Sequence, residues 1–481
     1  MMKMKKIIYL AVCAAAAMSV LFMPAEWLRV EGLSVVEQRV IAAFVFAALM
    51  WVTEAIPVWT TSVLVIVLLL LGVSDSSFAF LRGENVEGAR QFGKLINYKS
   101  LMATFADPII MLFLGGFFLA IAAGKCSLDR NLARIMFKPF GTKSSTVLLG
   151  LMAITALFSM FMSNTATTAM MFAVMAPLLK PSPNGGKGRI ALVLAIPVAA
   201  NVGGIGTPIG TPPNAIALKY LNESGVFGPP IGFGQWMAAM VPLAAVTILF
   251  AWVALLKLFP FKRDRLEVSL EGSFERSPKA YIVYATFAAT VLLWMFDRFT
   301  GLNPNVVAMV PMAVFSATGI VGKEDLKMIS WDVLWLVAGG FALGVAFNDT
   351  GLAERLVNSV PFASWPPVAT IFGAGAICYV FATFMSHTAT TSLLVPVLAA
   401  VAAGMGDAFE PFGGVTALLV GVALSASLAM ALPISTPPNA IAHSEGIATQ
   451  RQMAAVGLLV GAFGLALGYA ELFLLGSVGY F

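Results

Sequence analysis

Ser163-Asn164-Thr165-Ala166-Thr167-Thr168 and Ser386-His387-Thr388-Ala389-Thr390-Thr391 set runs of small polar residues in the middle of long apolar stretches. Each is followed by a second shared phrase, Thr211-Pro212-Pro213-Asn214 and Thr436-Pro437-Pro438-Asn439. Hydroxyl, amide and carbonyl oxygens suit a hard cation such as Na⁺, and the exposed N–H groups of a helix N-terminus favour an anion. Two consecutive prolines remove two backbone donors and clash with the preceding turn, so each Thr-Pro-Pro run must end a helix and free carbonyls, Gly210 among them. Ser159, one turn before Ser163, adds an oxygen on the same face. At bilayer depth such breaks are tolerated only where they line a cavity or a binding site, so the four stretches read as walls of one site. These phrases hold no Arg or Lys, which leaves an anion to bind beside a bound cation. Hydroxyl-mediated helix packing is the competing reading, and four symmetric polar breaks argue against it.

The elements that position these residues are membrane helices. The chain has 481 residues, 59% hydrophobic and 11% charged, with mean hydropathy +0.90. Apolar runs long enough to span hydrocarbon recur along it. The pattern predicts eleven spanning segments near 7–23, 37–53, 55–73, 105–123, 190–220, 235–256, 279–296, 303–321, 331–348, 413–443 and 454–476. Two further apolar stretches, 145–180 and 366–402, carry their polar phrase at the centre, and each half reaches only partway across. They read as re-entrant hairpins with the phrases at their tips. Residues 1–23 resemble a signal peptide but read better as a retained first helix.

Lys125, Arg130, Arg134, Lys138 and Lys143 lie between 124 and 144, Lys180, Lys187 and Arg189 between 180 and 189, and Lys257, Lys262, Arg263, Arg265, Arg276 and Lys279 between 257 and 279. The positive-inside rule places all three segments in the cytoplasm. The N-terminus and the first hairpin then face the cytoplasm, and the second hairpin and the C-terminus face outside. Gly115-Gly116-Phe117 recurs as Gly339-Gly340-Phe341, at nearly the spacing that relates the two pairs of polar phrases. This marks an internal repeat, 37–258 and 279–481, joined by a linker at 259–278 after a first segment of 1–36. Five spans per repeat is an odd number, so the second copy is inverted, a signature of secondary transporters with the substrate at the repeat interface.

Other features carry structural readings. Asp107 and Asp332 precede matching helices as N-caps. Leu128, Leu132, Ile135 and Met136 share one face of an interfacial amphipathic helix, with Leu352, Leu356 and Val357 as the counterpart. The nine tryptophans fall mostly near helix ends, as an interfacial belt. Cys13, Cys126 and Cys378 have no paired spacing and imply neither a disulfide framework nor a metal site. With two histidines, no His-Glu-x-x-His and no Gly-x-Ser-x-Gly, an enzyme is excluded. Gly141-Thr142-Lys143-Ser144 lacks the upstream spacing of a phosphate loop, so ATP does not drive transport here. A channel is the remaining non-carrier reading, and two broken sites in inverted repeats favour the carrier.

Carried by these paired phrases, the chain from about 37 to 476 resembles the divalent anion:sodium symporter family. The resemblance implies an all-α elevator carrier of eleven helices and two hairpins in the cell membrane, working as a homodimer on dicarboxylates, citrate or sulfate. It implies a sodium site at Ser159, Ser163, Asn164 and the Gly210 carbonyl. Substrate carboxylates would meet Asn164, Thr165 and Thr211 from one half and Ser386, His387, Thr388 and Thr436 from the other. The second sodium site would fall to Thr383, His387 and Ser435. There an imidazole replaces the family's amide and Ala382 stands one turn before Ser386, which weakens that site and raises sodium-independent exchange as the alternative to symport. The partners expected are small carboxylates and lipid, with no role for nucleic acid.

Overall fold

The computed structural model describes residues 2–28, 30–83, 91–179, 187–223, 227–262, 264–266, 274–359 and 365–481. Lys180, Arg263, residues 267–273 of the linker and the side chain of Val357 lie outside the described residues. Apart from two isolated bridges the regular structure described is helical. The first half runs α1 (Met2–Phe22), α2 (Val35–Thr53), α3 (Val58–Gly72), α4 (Tyr98–Ala103), α5 (Pro108–Lys125), α6 (Leu128–Phe137), α7 (Ser144–Phe161), α8 (Asn164–Leu179), α9 (Gly188–Gly204), α10 (Pro212–Glu223) and α11 (Phe233–Leu258). The second runs α12 (Pro278–Met295), α13 (Asp297–Thr300), α14 (Pro304–Val307), α15 (Met309–Ala317), α16 (Trp331–Asp349), α17 (Leu352–Ser359), α18 (Pro367–Phe384), α19 (His387–Met405), α20 (Gly414–Leu428), α21 (Pro437–Ser444) and α22 (Gln450–Ser477). The order α5 to α11 is repeated by α16 to α22. Among the described residues nine helices or helix runs are long and apolar enough to cross a membrane, so this is a multi-span membrane protein.

Four details differ from the sequence reading. The segment 303–321 is interrupted at Ala308, giving α14 and α15. That interruption sits where Gly115 of α5 packs, and a Cβ on Gly115 would come within 2.4 Å of the Ala308 carbonyl oxygen. Its repeat counterpart Gly339 packs as tightly on α3, where a Cβ would stand 2.4 Å from that of Ser62. Secondly, the four hairpin arms α7, α8, α18 and α19 have 18, 16, 18 and 19 residues. At 1.5 Å per residue they are about 24–29 Å long, near the hydrocarbon thickness, so length alone does not set them apart from spanning helices. Thirdly, the tryptophans are not all a belt. Trp27, Trp59, Trp331 and Trp365 are exposed, but Trp51, Trp236 and Trp294 are fully buried. Each buried indole donates to a backbone carbonyl, of Val58, Ile205 and Pro304 in turn, as an apolar ring with one donor must when buried. Fourthly, on α6 Leu128, Ala133 and Phe137 are buried while Ile135 is exposed, so the packed face is rotated from the one read.

Helix starts follow their caps. Ser34 and Thr449 complete capping boxes with Glu37 and Gln452. Asp107 accepts from the Ile109 amide at 2.9 Å and Pro108 begins α5, as expected. Asp332 does not cap α16: Ser330 holds that position, and Asp332 lies inside the first turn.

Candidate functional site

Both hairpin tips are built alike. Met162 and Met385 end α7 and α18 in extended conformation, at φ −126° and −122°. Ser163 then accepts from the Ala166 amide and Ser386 from the Ala389 amide, both at 3.1 Å, so each serine caps the returning helix. The tips are therefore two-residue turns that aim the N-termini of α8 and α19 into the protein.

The two helix breaks are also matched. α9 stops at Gly204 and α10 begins at Pro212, while α20 stops at Leu428 and α21 begins at Pro437. The asparagine of each Thr-Pro-Pro-Asn phrase reaches back to hold the carbonyls that the break releases. Asn214 Nδ2 donates to Gly204, Ile205 and Thr207 oxygens at 3.0, 3.2 and 2.8 Å, and Asn439 Nδ2 to Met430 and Leu432 oxygens at 2.8 and 3.0 Å. A hydroxyl then ties each break to its hairpin. Thr207 Oγ1 donates to the Met160 carbonyl, and Ser435 Oγ to the Thr383 carbonyl at 2.7 Å. Trp236 fixes the first break from α11 through the Ile205 carbonyl at 3.0 Å. Most of the carbonyls that the breaks release are thus satisfied from within the protein.

Tips and breaks converge on one cavity of about 300 Å³. Ser163, Asn164, Thr165, Gly210, Thr211, Ser386, His387, Thr388, Ser435 and Thr436 all line it. Ser159 and Thr383 stand behind the lining, both buried. Among the lining residues there is no Arg or Lys.

The first half gathers oxygens. Ser159 Oγ lies 2.5 Å from Asn164 Oδ1 and 2.8 Å from the Ala200 carbonyl oxygen. One hydroxyl proton can serve only one of these contacts. A Cβ on Gly204 would come within 2.9 Å of Asn164 Oδ1, 3.0 Å of its Nδ2 and 3.0 Å of the Gly210 carbonyl oxygen, so the Asn164 amide and the Gly210 carbonyl both face Gly204. The oxygens of Ser159, Asn164 and Gly210 are of the kind that a hard monovalent cation takes. Gly204→Ala is accordingly expected to push the Asn164 amide and the Gly210 carbonyl apart, lowering cation affinity at least about tenfold, since a 1.4 kcal/mol loss suffices for that. Sodium titration of the purified variant checks it.

The second half differs. His387 Nε2 lies 3.0 Å from the Ala429 carbonyl oxygen. A carbonyl only accepts, so that nitrogen carries the proton. Thr383 Oγ1 donates to its own helix, at Tyr379.

Several cavity residues escaped the sequence reading, Asn201, Ser330 and Asp332 among the polar ones. Asn201 of α9, 2% exposed, donates from Nδ2 to Thr436 Oγ1 and Asn439 Oδ1, both at 3.3 Å, and so joins the two halves. An amide inside the apolar run of 190–204 was the available signal. Asp332, read as a cap, lines the cavity wall instead. Its repeat counterpart Asp107 is mostly covered and pairs with the buried Lys219 of α10.

A cavity walled by matched helix breaks and hairpin tips from both halves of a multi-span helical protein is the arrangement of a secondary transporter. Residues 48–417 match the citrate transporter family, and the chain belongs to it. It is 30% identical over 457 residues to a sodium-dependent dicarboxylate transporter, SdcS, of Staphylococcus saprophyticus, covering 88% of this chain and 82% of that protein. It is 31% identical to an uncharacterized transporter of Schizosaccharomyces pombe, covering 84% of this chain and 45% of that protein. It is 29% identical to the inorganic phosphate transporter PHO87 of Saccharomyces cerevisiae, covering 85% and 43%. The chain thus spans less than half the length of these two yeast relatives. Among solved structures, MtrF of Neisseria gonorrhoeae, from a class of antimetabolite efflux pumps, shares the fold at TM-score 0.50 and 15% identity over 86% of this chain and 94% of that one.

Proposed function

We propose that this protein is a sodium-coupled symporter of di- or tricarboxylates such as succinate, malate, fumarate, 2-oxoglutarate or citrate. The observation that carries the reading is the cavity itself: amides, hydroxyls and helix N-termini from both halves, with the Ser159–Asn164–Ala200–Gly210 oxygen cluster at one side. The N-termini of α8 and α19 and the side chains of Asn164, Thr165, Thr211, Ser386, Thr388 and Thr436 receive the carboxylates. Sodium, when bound, supplies the positive charge that this Arg- and Lys-free wall lacks. Ser159, Ser163, Asn164 and the Gly210 carbonyl hold it, so cation and anion share the Asn164 amide. That shared group couples the two solutes.

The halves are inverted repeats, and the block of hairpins and broken helices moves as an elevator against the remaining helices in a homodimer. Two ion pairs agree with this orientation. Lys125 after α5 lies 2.7 Å from Asp325 before α16, as two cytoplasmic loops should. Arg355 of α17 lies 2.8 Å from Glu37 at the start of α2, as two outer segments should. The two amphipathic helices, α6 and α17, then lie on opposite faces.

The test is thermal stabilisation of the purified protein by succinate, citrate, sulfate and phosphate, with sodium and with choline in its place. Stabilisation by a carboxylate that requires sodium is expected. Stabilisation by carboxylates to the same extent in choline would replace symport with exchange, the reading that His387 favours. Stabilisation by phosphate or sulfate alone would remove the carboxylate assignment.

A further inference from the structure

The two halves of the cavity can be compared atom for atom through the repeat. Asn164 and Ser159 of the first hairpin correspond to His387 and Ala382 of the second, and Gly204 and Gly210 of the first break to Ala429 and Ser435 of the second. In the first half the convergent groups are acceptors in excess of protons: Ser159 Oγ, Asn164 Oδ1 and the Ala200 carbonyl share a single hydroxyl hydrogen. In the second half that arrangement is reversed. Ala382 offers no side-chain oxygen and is fully buried. His387 presents a proton where Asn164 presents an oxygen, and it is donated to Ala429 at 3.0 Å. The Ser435 hydroxyl donates to the Thr383 carbonyl at 2.7 Å and accepts from the Leu432 amide at 3.2 Å, and the Thr383 hydroxyl donates to the Tyr379 carbonyl at 2.7 Å.

We infer that the His387 N–H takes the place of a second coupling cation, clamping the second hairpin tip onto the break between α20 and α21, so that Thr383, His387 and Ser435 do not form a sodium site and the chain binds one sodium ion at most. A cation at a hairpin tip bridges oxygens of the tip to carbonyls of the break. The imidazole makes the same bridge with a proton, and makes it whether or not sodium is present. The second tip is therefore pre-assembled, while the first is completed by the ion. This inference rests on the sodium-coupled reading only for the identity of the ion, and the test separates the two.

Equilibrium binding of ²²Na⁺ to the purified full chain reads it as ions per chain. One ion is expected for wild type, none for Asn164→Ala, and two for Ala382→Ser/His387→Asn, which rebuilds in the second half the serine and amide of the first. Two ions in wild type, or one retained in Asn164→Ala, would overturn the inference. So would a folded, monodisperse double variant that binds no more than wild type. If the double variant does not fold, the Asn164→Ala stoichiometry decides, none supporting the inference and one refuting it. Zero ions in wild type with one in the double variant would support the role of His387 while removing the cation site at Ser159 and Asn164.

Discussion

Asn164→Ala is expected to abolish measurable sodium-dependent substrate binding, a loss of roughly a hundredfold or more, while the protein remains folded. The residue is placed at two points, and its side-chain amide carries both the oxygen for a cation and the N–H for an anion. Its Oδ1 faces Ser159 and stands beside the Gly210 carbonyl, and its backbone opens α8 toward the cavity. Hydrogen bonds to charged partners contribute about 1.5–3 kcal/mol each, and losing a cation ligand and an anion donor together gives the size stated. Little structural cost accompanies it, because Ser163 and not Asn164 caps the helix. Binding by fluorescence or calorimetry in sodium, with size-exclusion profiles compared, checks both halves of the expectation. Unchanged affinity would remove Asn164 from the site.

The largest effect on stability is expected at Lys219. Its ammonium pairs with the Asp107 carboxylate, the two side chains being only 8% and 11% exposed, and lies 3.8 Å from the centroid of the Phe341 ring. The pair joins α10, which follows directly from the first helix break, to α5 and α16. Lys219→Met leaves the Asp107 charge buried beside apolar groups, and breaking such a pair costs about 3–5 kcal/mol. Asp107→Asn keeps a capping side chain on α5, so it isolates the charge from the cap. Asp107→Asn/Lys219→Met should recover most of the loss. Thermal unfolding in detergent measures it: both single variants melt well below wild type and the double variant close to it. Equal melting of all four proteins would show that the pair is solvated and of little consequence.

Much of the site was legible because its chemistry is local. Hydroxyl runs inside apolar stretches, and paired prolines that cannot continue a helix, point to a polar cavity without any tertiary knowledge, and ten of the residues so chosen line it. What was not legible depends on which atoms meet. Nothing in Thr-Pro-Pro-Asn says that the asparagine turns back to hold its own break, as Asn214 and Asn439 do. Asn201 lies in an otherwise apolar helix, and only the packing of α9 against α21 brings it to Thr436. Asp107 and Asp332 are equivalent in sequence, yet one is a mostly covered cap with an ion partner and the other a cavity wall, because Lys219 has Ser444 as its counterpart. The buried tryptophans were misread for a similar reason: proximity to a helix end does not separate a ring at the lipid interface from one folded under a neighbouring helix. The break at Ala308 packs opposite Gly115 and has a local mark that the sequence reading passed over: Pro311 cannot donate to the Val307 carbonyl four residues back.

The proposed symport requires that sodium and a carboxylate share one site and move together. Its most direct measurement is uptake of labelled succinate and citrate into proteoliposomes containing the purified protein, with an inward sodium gradient, with equal sodium on both sides, and with sodium replaced by choline while unlabelled dicarboxylate is loaded inside. Symport is expected to give accumulation above the external concentration only with the inward gradient, and none in Asn164→Ala. Uptake that ignores the sodium gradient but requires internal dicarboxylate would contradict it and establish an exchanger in its place.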